Sequence, residues 1–268
     1  MRTIPPLFLY ACLAVTSAAP AFAQVGADPP SKVLIEEEEL IYNVRYGFID
    51  LGQVRIRILG KETTPQHVAY RGKALIDSYR GVPFVDLHAM YESLIDSAVF
   101  AREFVGKSKD GKIWTYSKYV FDYDTRQIIM ESGRRDSIVE KRDTVEADTL
   151  YQDGLSLFFY ARDQLYSRKR VNIPTLITEQ KVRTYIDFHN TREAVEIDAV
   201  DYPIDVIQFE GTADFVGIFG LTGDFEGWFS NDEARVPIMA KMKVIIGSVT
   251  IELMKWSRPG WSPPRSSG

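Results

Sequence analysis

Two stretches of alternating apolar residues, 236–246 and 249–256, face each other across Gly247-Ser248 near the C-terminus. Glycine at the first central position of a two-residue loop marks a type II′ hairpin turn, whose twist suits paired strands. A loop of that length sets Ile246 opposite Val249, Val244 opposite Ile251 and Met242 opposite Leu253, and places Lys243 against Glu252. The apolar sets of both arms then share one face, whereas a slip by one residue would pair the buried set with charges. Gly247 and Ser248 are therefore expected as a structural turn, and an antiparallel ribbon as the unit of the fold.

Other alternating segments extend this pattern over most of the chain. Leu40, Tyr42, Val44 and Tyr46 alternate with Ile41, Asn43 and Arg45; Gly47 and Gly52 bracket a loop, and Val54, Ile56 and Ile58 follow in a second strand. Further strands are expected from His67 to Ile76, from Phe84 to Ile95, and on either side of Asp110-Gly111, a dipeptide typical of hairpins. Segment 134–148 is charged with little periodicity and reads as a solvated strand pair or a crossover. Beyond Pro174, strands are expected over 175–179, 181–188, 194–200 and 204–211, with Asn190-Thr191 as a hairpin tip. Gly217, Gly220 and Gly223 mark a bend, since no Gly-Lys-Ser/Thr terminus makes them a phosphate loop. The 14 Tyr and 15 Phe suit half-buried strands. The fold expected is mainly β: a large curved antiparallel sheet or incomplete barrel.

One helix interrupts the strands. Asp153 precedes Leu155, Phe158, Phe159, Arg162 and Leu165 at helical spacing, and an N-terminal aspartate caps the first turn. A helix over about 153–165 is expected to cover the core edge or to plug a sheet opening. Leu155, Phe158, Phe159 and Arg162 are then the candidate residues covering a ligand.

The ends of the chain read differently. Residues 1–23 have the form of a signal peptide: Arg2, an apolar run from Ile4 to Ala19, and the small-x-small site Ala21-Phe22-Ala23. Pro5, Pro6 and Pro20 interrupt the run, and a membrane span needs about 20 apolar residues. No later stretch is long enough to cross a membrane, so the mature chain is expected to lack a transmembrane segment. Cys12 stands in a loose lipobox, Leu9-Tyr10-Ala11-Cys12, which cleavage after Ala23 would discard along with the single cysteine of the chain. Disulfides, cysteine-bound metals and thiol catalysis are then excluded from the mature protein. Residues 24–33 read as a flexible lead-in, 34–256 as a single β-rich domain, and 257–268, with Pro259, Pro263 and Pro264, as a disordered tail. Losing Arg2 from the 32 Lys and Arg leaves 31 against 37 acids, a net of −6. That balance gives no basic footprint for nucleic acid.

Sites of chemistry are sparse. Asp86-Leu-His88 and Asp187-Phe-His189 each place a carboxylate and an imidazole on one strand face, but a metal site requires the two fragments to converge. The acids of Glu36 to Glu39 read as a solvated approach to the first strand, since calcium needs carboxylates from several directions. Ser97, Ser156 and Ser248 lie in no nucleophile elbow. No catalytic constellation, metal site or cofactor is expected.

The residues do carry a family resemblance. Glu39-Leu40-x-Tyr42-x-Val44-x-Tyr46-Gly47, Asp153-Gly-Leu-Ser156 with Tyr160-Ala-Arg162, and Trp228-Phe-Ser-Asn-Asp232 with Ile246-Gly247-Ser248-Val249 resemble segments of the exported bacterial domain-of-unknown-function family 3108. The resemblance implies an envelope protein of Gram-negative type with no assigned activity, located in the periplasm or cell envelope, and supplies no catalytic residues. The expected role is non-enzymatic binding of an apolar or lipid-like ligand. The alternatives are an envelope assembly module presenting 134–148 and the C-terminal tail to a partner protein, and an unrecognised hydrolase.

Overall fold

Strand alternation and short turns make neighbours in sequence neighbours in space, and in the computed structural model fourteen strands among the described residues join one antiparallel sheet. The structure describes residues 31–82, 86–134, 138–216, 222–244 and 247–267. The N-terminal meander runs through β1 (Glu39–Tyr46), β2 (Ile49–Thr63), β3 (Val68–Ser78), β4 (His88–Asp96), β5 (Ala101–Asp110), β6 (Ile113–Asp122), β7 (Gln127–Arg134) and β8 (Ile138–Glu146). Helix α1 (Ser156–Gln164) follows. The second meander is β9 (Arg170–Ile177), β10 (Gln180–Val195), β11 (Ile204–Val216), β12 (Thr222–Ser230), β13 (Pro237–Lys243) and β14 (Ser248–Ser257). β14 pairs with β1, which welds the two meanders at the middle of the sheet and leaves β8 and β9 as its ends.

The ends approach each other without forming a ladder. The chain between β8 and α1 links β5 to the end strand β9: Ala101 N–H donates to the Tyr151 carbonyl at 2.9 Å, Gln152 N–H to that of Pro174 at 2.9 Å, and Leu176 N–H to that of Gln152 at 2.8 Å. Leu176 of β9 accordingly packs with Tyr119, Phe121 and Tyr151 in one buried cluster. The sheet is thus a curled, incomplete barrel with one helix across an end, as its alternation indicated. The helix plugs that end: Leu155 and Phe159 join Leu40, Tyr42, Ile58, Ile95, Ile238 and Leu253 in the largest buried cluster.

The C-terminal hairpin differs from its expected register. Met242 pairs with Val249 and Lys243 with Ser248, so Ser248 opens β14 and the connection is 244–247. Ile245 and Ile246 lie outside the described residues. Gly247 keeps its turn role, at φ 81°, where a side chain would also press on the Tyr46 hydroxyl at 3.1 Å. The observed pairing is displaced by four residues from the expected one. An even displacement leaves the same residues facing inward, so alternation cannot distinguish the two.

Three other expectations are corrected. Asn190-Thr191 is no hairpin tip: β10 continues through it, with an irregular register between Asp187 and Thr191 and Asn190 at φ 59°. Asparagine tolerates the left-handed region in bulges as well as turns. The turn before it is Thr178-Glu179, both at positive φ. The packed chain begins before residue 34, since Val33 is fully buried and the Ser31 hydroxyl donates to Asp163 at 2.6 Å. Finally, the tail expected to be disordered is docked: Asp205 N–H donates to the Pro264 carbonyl and Ser266 N–H to that of Pro203, both at 2.9 Å. Trp261 Nε1 donates to Asp232 at 2.7 Å and its ring meets Trp256 edge-on. Residues 1–30, including the expected signal peptide, Cys12 and most of the lead-in, lie outside the described residues, as do Gly217 and Gly220.

The docked tail generates a prediction. Deleting residues 258–268 is expected to remove about 2 kcal/mol of stability and lower Tm by about 4–8 °C; an unchanged melting curve would show that these contacts hold nothing.

Candidate functional site

The helix is fixed at both ends before it can serve as a floor. At its start the Asp153 carbonyl accepts the first helical hydrogen bond, from Leu157 at 3.0 Å. Its carboxylate accepts from the N–H groups of Leu155 at 2.7 Å and Ser156 at 2.9 Å. Ser156 Oγ in return accepts from Asp153 N–H at 2.8 Å, a reciprocal cap. The remaining carboxylate oxygen takes the Ser93 hydroxyl at 2.6 Å. Asp153 is fully buried, and burial pushes its carboxyl up to about 6 against these hydrogen bonds. The expected capping role of Asp153 therefore stands.

At the other end lies an interaction the residue pattern had not indicated. Glu38, expected on a solvated approach, is only 2 % exposed and faces Arg162, which is fully buried. The pair is bidentate, Nη1 to Oε2 at 2.6 Å and Nη2 to Oε1 at 2.9 Å. Arg162 also donates to the carbonyls of Ala234 at 2.9 Å and Arg235 at 3.1 Å. Arg258 reaches Glu38 from the docked tail, and Arg235 caps the helix by donating to the Asp163 carbonyl at 2.6 Å. Burial would raise the Glu38 carboxyl, but the Arg162 and Arg258 guanidiniums outweigh it and hold it below the ordinary range.

Between this floor and the far rim lies a cavity of about 640 Å³. Leu155, Leu157, Phe158 and Ala161 form its base. One wall carries the stacked rings of Tyr91, Phe104 and Tyr119, with centroids 5.6 and 5.2 Å apart. The opposite wall carries Phe209, Phe225 and Phe229. Gly227 makes room there, for a Cβ would stand 2.3 Å from the Phe209 ring. Tyr42 lines the cavity and packs edge-on to Phe158. Its hydroxyl is buried with no hydrogen-bond partner among the described residues. The cavity reaches Ser108 and Lys109 by the β5–β6 turn and Lys243 by the β13–β14 connection, at the end away from the helix, and Thr178 in the β9–β10 turn.

The candidate ligand-covering residues thus divide. Leu155 and Phe158 line the cavity, whereas Phe159 packs into the core behind it and Arg162 holds the ion pair. Gly247 and Ser248 stand at the rim as structure. The Asp-x-His fragments do not converge, since β4 and β10 are separated by eight positions in the sheet order. His88 answers Asp77 at 2.7 Å and Asp86 at 3.2 Å, while His189 lies against Gln208. Among the described residues, no group of three His, Cys, Asp or Glu could hold a metal ion. Segment 134–148 is largely the exposed edge strand β8.

Comparison with known proteins agrees with this architecture. The model of a family described as "Protein of unknown function (DUF3108)" matches residues 41–254. A crystal structure of a beta-barrel-like protein of the domain of unknown function DUF1849 from Brucella abortus is similar, with a TM-score of 0.54 and 10% identity, covering 82% of this chain and 96% of that one. At that identity the likeness concerns the fold alone. No curated protein matches the chain.

Two predictions follow from the anchors. Arg162→Met leaves Glu38 buried opposite Arg258 alone and is expected to cost about 3–5 kcal/mol in urea denaturation, with Glu38→Leu/Arg162→Met recovering part of the loss. A loss under about 1 kcal/mol would remove the pair from its anchoring role. For Asp153 the folded carboxyl titrates above its unfolded value of 3.8. Its contribution is therefore fully present below about pH 3.8 and is lost as pH rises through about 6. Asp153→Asn, which keeps an acceptor for the cap, should gain about 2 kcal/mol of stability relative to wild type between pH 4.5 and 7.5; parallel profiles for the two proteins would contradict this.

Proposed function

The chain belongs to the DUF3108 family, and on that premise we propose that it is an exported, non-enzymatic envelope protein that binds an apolar or lipid-like ligand inside its incomplete barrel. The single observation carrying the reading is the cavity of about 640 Å³, within the roughly 300–1,000 Å³ of small-molecule pockets. Its walls are dominated by aromatic and aliphatic side chains, which favour transfer of an apolar body from water. A hydrocarbon body such as an acyl chain fits walls of this kind. The export component rests on the leader-like residues 1–23.

The test is displacement of a fluorescent 16-carbon fatty acid. Wild type is expected to bind it saturably. Ser117→Trp, which fills the wall beside the Tyr91–Phe104–Tyr119 stack, should weaken binding at least about tenfold at an unchanged Tm, since overlap with an indole is repulsive. Saturable binding that Ser117→Trp leaves intact would place the ligand elsewhere and sink the proposal.

A further inference from the structure

Register orders the inward side chains of the first meander by height above the helix. Across β3 to β6, Ala74 pairs with Tyr91, Tyr91 with Gly106 and Gly106 with Ser117. Phe104 and Tyr119 lie one inward position nearer the helix, and Ser108 and Thr115 one nearer the mouth, the end where the tips bearing Phe48, Trp114 and Ile138 are exposed. Tyr91 is thus the one bulky member of this row between β3 and β6. It is partly buried and packs against both the largest buried cluster and the cluster of Phe104 and Tyr119. Bare Gly106 lets the Phe104 ring lie flat against Tyr91, at 5.6 Å between centroids, since a Cβ there would stand 2.9 Å from Phe104. The Tyr91 ring is therefore held in place before any ligand arrives.

Hydroxyls that line the same cavity are already engaged. That of Tyr119 accepts from Glu179 N–H at 3.1 Å, Ser108 and Thr115 bond each other at 2.9 Å, and Thr184 meets Thr175 at 3.2 Å. The Tyr42 hydroxyl has no partner but is enclosed within the field of the Arg162 and Glu38 charges. The Tyr91 hydroxyl makes no hydrogen bond to the described residues and is not sealed from the cavity its ring lines. Burial, with the Tyr119 hydroxyl adding, pushes the phenol up to about 12, so it remains a neutral donor.

Charge limits what can accept from it. The charged residues lining the cavity are Lys109, Asp224, Glu226 and Lys243. All four have outward parity, since Lys109 alternates with inward Ser108, and the others with Phe225, Gly227 and Met242. The two lysines are also answered, Lys109 by Asp86 at 2.8 Å and Lys243 by Asp224 at 2.5 Å. A carboxylate drawn inside would meet no counter-charge from the described inner face, and burying an unpaired charge is costly. An ester or amide carbonyl accepts the same hydrogen bond without that cost.

We propose that Tyr91 donates its hydroxyl hydrogen to an uncharged carbonyl of the ligand, so that the cavity selects acyl esters or amides over free fatty acids. This names the ligand class within the ligand reading above and rests on it.

The experiment is competition against the fluorescent 16-carbon fatty acid at pH 8, with methyl palmitate, palmitate and hexadecane each delivered from cyclodextrin, and with affinities corrected for the probe's own affinity in each protein. Methyl palmitate is expected to bind wild type at least about tenfold more tightly than palmitate, which is ionised at that pH. Tyr91→Phe should weaken methyl palmitate about 3- to 10-fold and leave hexadecane affinity and Tm unchanged. An equal loss for hexadecane would make Tyr91 a packing residue and overturn the proposal. Unchanged methyl palmitate affinity in Tyr91→Phe, or palmitate binding as tightly as its ester, would overturn it as well. In each of those cases saturable binding of the probe persists and the ligand reading stands, whereas a wild type that binds neither probe nor competitor removes both.

Discussion

The buried contact between Arg162 and Glu38 holds together parts of the chain that the sheet alone would leave apart. It joins the segment before β1 to the helix, and through the Ala234 and Arg235 carbonyls it joins both to the β12–β13 connection. Arg258 adds the docked tail to the same carboxylate. A buried ion pair of this kind need contribute little over a well-packed apolar substitute. Its geometry does more, because a planar fork satisfied by two carboxylate oxygens and two carbonyls admits one placement of the helix, which an apolar contact alone would leave free to slide.

Both halves of this pair were visible as local anomalies. Glu38 has the parity of Leu40, Tyr42 and Val44, the inward face of β1, and Arg162 falls on the apolar stripe of Leu155, Phe158 and Phe159. A charge on each of two faces that must meet in the core is a complementary mismatch. Composition conceals it, because Glu38 sits in a run of four acids of which three are unremarkable at a surface. The sheet itself was legible for the opposite reason. Alternation reports a face, and each strand of the first meander repeats it. Registers were less so: the C-terminal hairpin chose a pairing two pleats away because β14 is also paired to β1 and β13 to β12, a long-range constraint with no local trace. Asn190 misled similarly, since a bulge and a turn ask the same conformation of it.

The cavity was legible in kind and hidden in extent. Aromatic richness fits a filled barrel as well as a hollow one. What leaves space is where the bulk goes: Phe159 and Arg162 turn into the plugged end, and the rings of Tyr91, Phe104 and Tyr119 stack across neighbouring strands of one wall, while Phe209 lies over the bare backbone of Gly227. A helix of two and a half turns spans the floor and cannot also fill the volume above it. The rim was hidden as well, because Phe48, Trp114 and Ile138 lie far apart in sequence and share one end of the sheet only through the antiparallel order.

The two ends of the barrel therefore differ in what stabilises them. The plugged end holds the largest buried cluster, the ion pair, the reciprocal cap of Asp153 and the docked tail. The other end holds hairpin tips whose apolar side chains face solvent and whose ion pairs are largely exposed, contacts worth about 0–1 kcal/mol each. Even the seam follows this division: β8, charged along its free edge, reaches the β9–β10 turn through Lys141 and Glu179 at 3.2 Å where a ladder would have closed the barrel. Local opening draws on regions with few buried contacts. A floor that holds its shape beneath a rim that can yield is the arrangement in which an enclosed apolar cavity remains reachable.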